Sequence, residues 1–265
     1  MKTTRRQTIV GGLATASVAG ASSQCLTGCT DEVPPAGRAR TRIAVIGAIH
    51  GRHRGSAAYS LEVLERAVRR FEPDIVLTEI PPDRIAEAKR SFAETGEVTE
   101  QRTRAFPELT QAVFPLAKEL DFQIAATAGW TRKLADDRSA ALAVLRSDPA
   151  RASQWADHMR ARTEFADVVK GRRDDPRFIH TSEYDALVQR AQTPYQVYFD
   201  GDLGAGGWTM INAAHTGLMG DVLDRVRGQG LRALIMFGAF HKYMIERSLM
   251  FRNDIDRESA ADLFA

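Results

Sequence analysis

Two apolar runs, Arg42–Ile46 and Asp74–Thr78, separated by a helix-patterned segment, constrain this 265-residue chain more than any other feature. Each run is short, rich in β-branched residues and nearly continuously apolar, the pattern of a strand covered on both faces. Gly47 closes the first run and Glu79 follows the second. Between them Leu61, Leu64, Val68 and Phe71 recur at helical spacing, Ser56 can cap the segment, and Pro73 ends it. A strand–helix–strand unit of this kind favours a parallel pair joined by a right-handed crossover.

The same signals continue downstream. Pro81-Pro82 opens another helix, and residues 94–105, polar and without a period, read as a loop. Pro107–Leu120 reads as a helix and Phe122–Thr127 as a third strand. Tyr195–Phe199 is a further strand candidate, followed by a glycine-rich turn at 201–207 and a helix over Trp208–Arg227. Leu231–Phe237 is another buried strand, closed by Gly238, and a helix follows to about Phe251. Residues 131–193 are rich in Arg, Ala and Asp and read as a helical insertion that covers the sheet edge or a substrate cleft. The expected fold class is α/β: a central mixed, mainly parallel sheet flanked by helices, with a helical insertion at about 131–193. The expected organisation is a leader at 1–29, a linker at 30–40 and a single domain at 41–265.

The leader carries Lys2, Arg5 and Arg6 ahead of a weakly apolar stretch, Ile9–Ala21, and small residues. This is the pattern of a secretory signal, and the Arg5-Arg6 pair resembles a twin-arginine export signal. Leu26-Thr27-Gly28-Cys29 resembles a bacterial lipobox, with Cys29 as the residue to be acylated and a route to membrane anchoring. The expected location is periplasmic or otherwise extracytoplasmic. No run approaches the ~18 apolar residues of an ordinary transmembrane helix. Without the three leader cations the chain carries 33 Lys+Arg against 34 Asp+Glu, so charge gives no argument for nucleic acid. Both cysteines, Cys25 and Cys29, lie in the leader, which excludes a cysteine nucleophile or thiolate metal site in the body. No Gly-x-Ser-x-Gly elbow and no phosphate-binding glycine loop is present.

The chemistry points to one motif that occurs twice. Gly47-Ala48-Ile49-His50 and Gly238-Ala239-Phe240-His241 each follow a buried strand and precede a helix. Six His and 20 Gly make about half of one Gly-x-x-His expected by chance, so the shared context carries the signal rather than the motif alone. Glycine lets the backbone leave the strand sharply. The histidine then falls beyond the strand's carboxyl end, where open α/β sheets bind ligands. Glu79 holds the equivalent place after the second strand. Two histidines and a carboxylate form a recognised donor set for a catalytic divalent metal such as Zn, Mn or Co. His53, three residues after His50, can be a further ligand or a proton shuttle. Asp200, Asp202 and His215 are weaker candidates.

The segments "IAVIGAIHG", "PDIVLTEIPPDR" and "ALIMFGAFHKYMI" resemble the TraB/PrgY/GumN family, which includes the Tiki proteases. That resemblance runs from about residue 42 to 250. It implies a mixed α/β fold and, for Tiki-like members, metal-dependent peptide hydrolysis. The positions it carries over are His50, Glu79 and His241. Arg84 matches an arginine common shortly after that glutamate. Asn212 stands where many members have an Arg-Asn pair, although Ile211 precedes it here.

Three functions are therefore weighed. The first is a divalent-metal-dependent hydrolase, peptidase-like, acting on a peptide or small-molecule substrate. His50 and His241 are then metal ligands, Glu79 is third ligand or general base, and Arg84 or His53 stabilises the oxyanion. The second is a haem- or metal-binding lipoprotein without catalysis, with His50, Tyr59 or Tyr243 as haem ligand. The third is an erythromycin-esterase-like hydrolase that uses His and Glu without a required metal.

Overall fold

The buried runs of the sequence become the middle of one sheet. The structure, a computed structural model, describes residues 39–265. The leader, Cys29 and the linker as far as residue 38 lie outside the described residues. Strand β1 spans Thr41–Ala48, helix α1 Leu61–Phe71 and strand β2 Ile75–Thr78. Then come α2 (Ile85–Thr95), a wide turn of helix over Glu108–Val113 that continues as α3 (Phe114–Leu120), and β3 (Gln123–Ala126). The insertion is helical as expected: α4 (Arg132–Ser147), α5 (Ala152–Val168), α6 (Pro176–Ile179) and α7 (Ser182–Leu203). Helix α8 (Trp208–Arg225), β4 (Arg232–Gly238), α9 (Lys242–Leu249) and β5 (Ile255–Arg257) complete the order.

The strand order is β3-β2-β4-β1-β5, and every pairing is parallel. The α/β class is thus as read from the sequence. The first strand–helix–strand unit differs in one respect: β1 and β2 do not pair with each other, because β4 lies between them. β4 is buried on both faces over Ala233–Gly238, and a central slot is where such a strand loses most contact with water.

Side chains alternate between two cores. Ala44, Ile46, Val76, Leu234 and Met236 face one, with α1 and α3 packed over them. Ile43, Val45, Leu77, Ile235 and Phe237 face the other, against α8 and α9. Helix α1 buries Leu64, Val68 and Phe71, which at about 2 kcal/mol per large side chain holds it firmly to the sheet. Its cap is Ser60, whose hydroxyl accepts from the Val63 amide, and not Ser56. Ser56 instead ties the loop to Asp174 at 2.6 Å.

The expected strand at Tyr195–Phe199 lies inside α7. Tyr195, Phe199 and Leu203 recur every four residues and pack on Leu142 and Leu145. That helical face outweighs the apparent alternation, and Pro194 is tolerated within the helix. No helix among the described residues is long and apolar enough to cross a membrane.

Candidate active site

After β1 the chain crosses towards β2 on one side of β4, and after β4 it runs through α9 to β5 on the far side of β1. Helices α1 and α9 lie on opposite faces. The carboxyl ends of β1 and β4 therefore flank the point where the winding reverses, the usual place for a ligand crevice. The two Gly-x-x-His motifs leave from these two ends, which are in register as Ala48↔Gly238.

The motifs interlock through their glycines. A β-carbon on Gly47 would stand 3.0 Å from Ala239 Cα, and one on Gly238 would stand 2.5 Å from His50 Nε2. Each motif thus needs its glycine because the other motif lies against it. His50 adopts a positive φ of 52°, which costs a non-glycine residue about 1 kcal/mol. It is held there by Nδ1 donating to Glu108 Oε1 at 2.6 Å and by the Phe106 ring at 5.0 Å. Burial acts to lower the His50 pKa, but Glu108, through its hydrogen bond and charge, and Glu79 outweigh it and raise the imidazole above its usual value.

Glu79 is buried and enters from the end of β2. Its Oε2 accepts the Gly238 amide at 2.9 Å, and its Oε1 lies 3.9 Å from His241 Nε2. His241 stacks on Trp208 at 4.6 Å and donates from Nδ1 to Asn212 Oδ1 at 2.8 Å. Asn212 Nδ2 donates to the Trp208 carbonyl at 2.7 Å, which fixes the amide so that its oxygen faces the ring. Burial lowers the His241 pKa, partly offset by Glu79. His215 lies behind it at 5.1 Å between rings, pushed down to about 3 by burial and by the neighbouring His241 and Arg102 charges. It accepts the Gly129 amide at Nδ1.

With Nδ1 of both histidines spent on outer acceptors, both Nε2 atoms present lone pairs, one facing Glu79 and one over Gly238 beside it. Such an arrangement calls for a proton or a cation among them. Donors ~2.1 Å from a shared tetrahedral ion stand ~3.4 Å apart, so the 3.9 Å between Glu79 and His241 is somewhat wide. Among the described residues no group of three or more His, Cys, Asp or Glu side chains is placed to hold a metal ion. The donor types suit a divalent metal, but their spacing does not hold one without a side-chain adjustment.

The other named residues lie elsewhere. His53 is buried, with Nε2 accepting the Ile49 amide at 3.0 Å and Nδ1 donating to the Tyr59 carbonyl at 2.7 Å. Both nitrogens are used, so it shapes the His50 loop rather than meeting a substrate. Arg84 pairs with Asp83 at 3.3 Å and lines a neighbouring cavity of about 390 Å³ with Arg102, Phe106 and Trp130. Asp200 caps α8 through the Trp208 and Thr209 amides, and Asp202 pairs with Arg151. Tyr59 donates to the Gly47 carbonyl and Tyr243 accepts from Trp208, so both phenols are committed. Glu108 was not anticipated from the sequence. Its one local signal is the wide helical turn it opens, a distortion frequent at functional sites. In comparisons with known proteins the chain matches no family model, no curated protein and no solved structure.

Proposed function

We propose that the chain is a hydrolase that activates a water between His50, Glu79 and His241, and that a divalent metal (Zn, Mn or Co) is its cofactor. The observation that carries this reading is His241 Nε2 opposite the Glu79 carboxylate with His50 Nε2 close by over Gly238, each Nδ1 held by an outer acceptor. His50, His241 and Glu79 would hold the ion, which would lower the pKa of a bound water and polarise a carbonyl. Glu108 and Asn212 orient the two rings. Glu79 serves as third ligand or as the base that takes the water's proton. Replacing it by Gln separates these roles: metal content falls if Glu79 is a ligand and persists, with activity lost, if it is the base. A peptide or small carbonyl compound is the substrate class. The TraB/GumN resemblance supports the peptidase-like form of this reading.

A second reading keeps hydrolysis without a metal. The short His50–Glu108 bond and the raised His50 pKa favour an imidazole base oriented by a buried carboxylate, close to the esterase-like alternative. Elemental analysis of wild type and His50→Ala, with peptide and ester hydrolysis before and after exhaustive chelation, tests both. Equal metal content in the two proteins sinks the metal assignment, and activity that survives chelation selects the second reading. Hydrolysis indifferent to His50→Ala removes both. Export through a twin-arginine signal and acylation at Cys29 belong to the same proposal, and are tested by labelled-lipid incorporation into wild type and Cys29→Ala.

A further inference from the structure

A second cavity, of about 250 Å³, is walled by both Gly-x-x-His loops and by the helical insertion. Arg52 comes from the loop that carries His50, and Phe240 immediately precedes His241. Arg162 and Phe165 of α5, Arg173 of the following turn and Tyr184 of α7 form the remainder. No Asp or Glu lines it. Among the described residues the arginine ion pairs involve other side chains, and none of these three guanidiniums has a carboxylate partner.

Arg52 and Arg173 are exposed at the mouth of the cavity, while Arg162 is half-buried, where an unpaired cation is costly unless a ligand anion completes it. Arg162 is the most enclosed of the three. Its guanidinium lies 4.6 Å over the Phe240 ring, and burial lowers its pKa. Phe240 is in turn braced edge-on by Phe165 at 5.2 Å. Arg52 lies two residues after His50 in the same turn, so that loop joins the candidate active site to this cavity. The lining combines three aromatic rings with three arginines, and guanidinium suits bidentate capture of carboxylate or phosphate.

We infer that this cavity is an anion-binding subsite, which takes an apolar, aryl-sized end of the substrate bearing a carboxylate or phosphate. The insertion is then the part of the chain that selects substrate, while the strand ends carry the chemistry. The inference rests on the hydrolase reading for its link to catalysis, and its binding test does not.

The test is calorimetric titration of the full chain with benzoate, phenyl phosphate and the neutral analogue benzamide at low salt. Saturable binding of an anionic probe, absent for benzamide, is expected; benzoate alone marks a carboxylate site, and phenyl phosphate marks a phosphate site. Arg162→Gln should weaken it by about tenfold or more, and so should Arg52→Gln, an exposed position that leaves packing intact. Circular dichroism confirms that each variant is folded. No saturable binding by wild type, equal binding of benzamide, or undiminished binding by folded Arg52→Gln overturns the inference. Probe binding with no hydrolysis of any substrate leaves the subsite standing and removes the hydrolase. Hydrolysis dependent on His50, with no anion binding, does the reverse.

Discussion

His50 lies directly over Gly238, so that a β-carbon added to the glycine would come within 2.5 Å of the imidazole Nε2. The first motif's histidine thus occupies the space that the second motif's glycine leaves open. Gly238→Ala should push the ring away from Glu79 while leaving the sheet intact. Activity is expected to fall by about a hundredfold, as small displacements at reacting groups do. Thermal unfolding should show a loss of about 1–3 kcal/mol, the usual overpacking cost. Full activity in Gly238→Ala would mean that His50 is not needed in that position.

Asn212→Ala removes the acceptor that sets the His241 tautomer. Its effect should be felt at the site rather than in the fold. Metal affinity or kcat should drop by about 10–100-fold, the range seen when outer partners of ligating histidines are removed. Equilibrium dialysis and steady-state kinetics check this. Unaltered metal binding and turnover would show that the ring is held by Trp208 alone.

For His53 the expectation is the opposite. Its two backbone bonds make it a structural residue, so His53→Ala should cost about 2–3 kcal/mol in denaturant unfolding. Turnover per folded molecule should change only a few-fold. A stable variant with abolished turnover would return His53 to the chemistry.

His180 is one source of pH dependence, alongside His215, whose pKa is also pushed down to about 3. His180 accepts the Gly47 amide at 2.9 Å and donates to the Pro176 carbonyl, and burial pushes its pKa down to about 3. The unfolded chain takes up a proton near pH ~6.5, whereas the folded chain does so only near 3. The stabilisation is therefore complete above ~6.5 and is lost as pH falls towards 3, at about 1.4 kcal/mol per pH unit. Denaturant unfolding between pH 7 and 4 should show a stability slope at least this steep, since His215 adds to it, and the slope in His180→Gln should be shallower by about that amount. Parallel slopes in the two proteins would assign the acid lability to other groups.

The central strands were readable because β1, β2 and β4 are nearly continuous apolar runs, a pattern that few other environments need. His50 and His241 were readable because the same local device occurs twice. β5 was not, since three residues with polar neighbours leave no period to detect. Glu108 is 58 positions from its partner and sits in a helical segment, so only the packing of that segment against the loop brings the two together. Tyr195–Phe199 misled because Tyr195, Val197 and Phe199 alternate as in a strand, while the true partners of this segment, Leu142 and Leu145, lie about fifty residues earlier. His53 and His180 show a further limit. A histidine that satisfies backbone amides looks, in sequence, like one that meets a ligand.

The place of β4 between β1 and β2 also has a kinetic meaning. The chain must bring in residues 232–238 before its first two core strands gain a common neighbour. Until then β1 has no neighbour and β2 has only β3, and their open edges can mispair with other chains. Assembly of the sheet is thus a late event dominated by distant pairings, and such topologies fold slowly. A nascent chain stopped short of β4 can pair β2 with β3 but leaves β1 alone, so His50 and His241 come together only when the central strand slides into its slot.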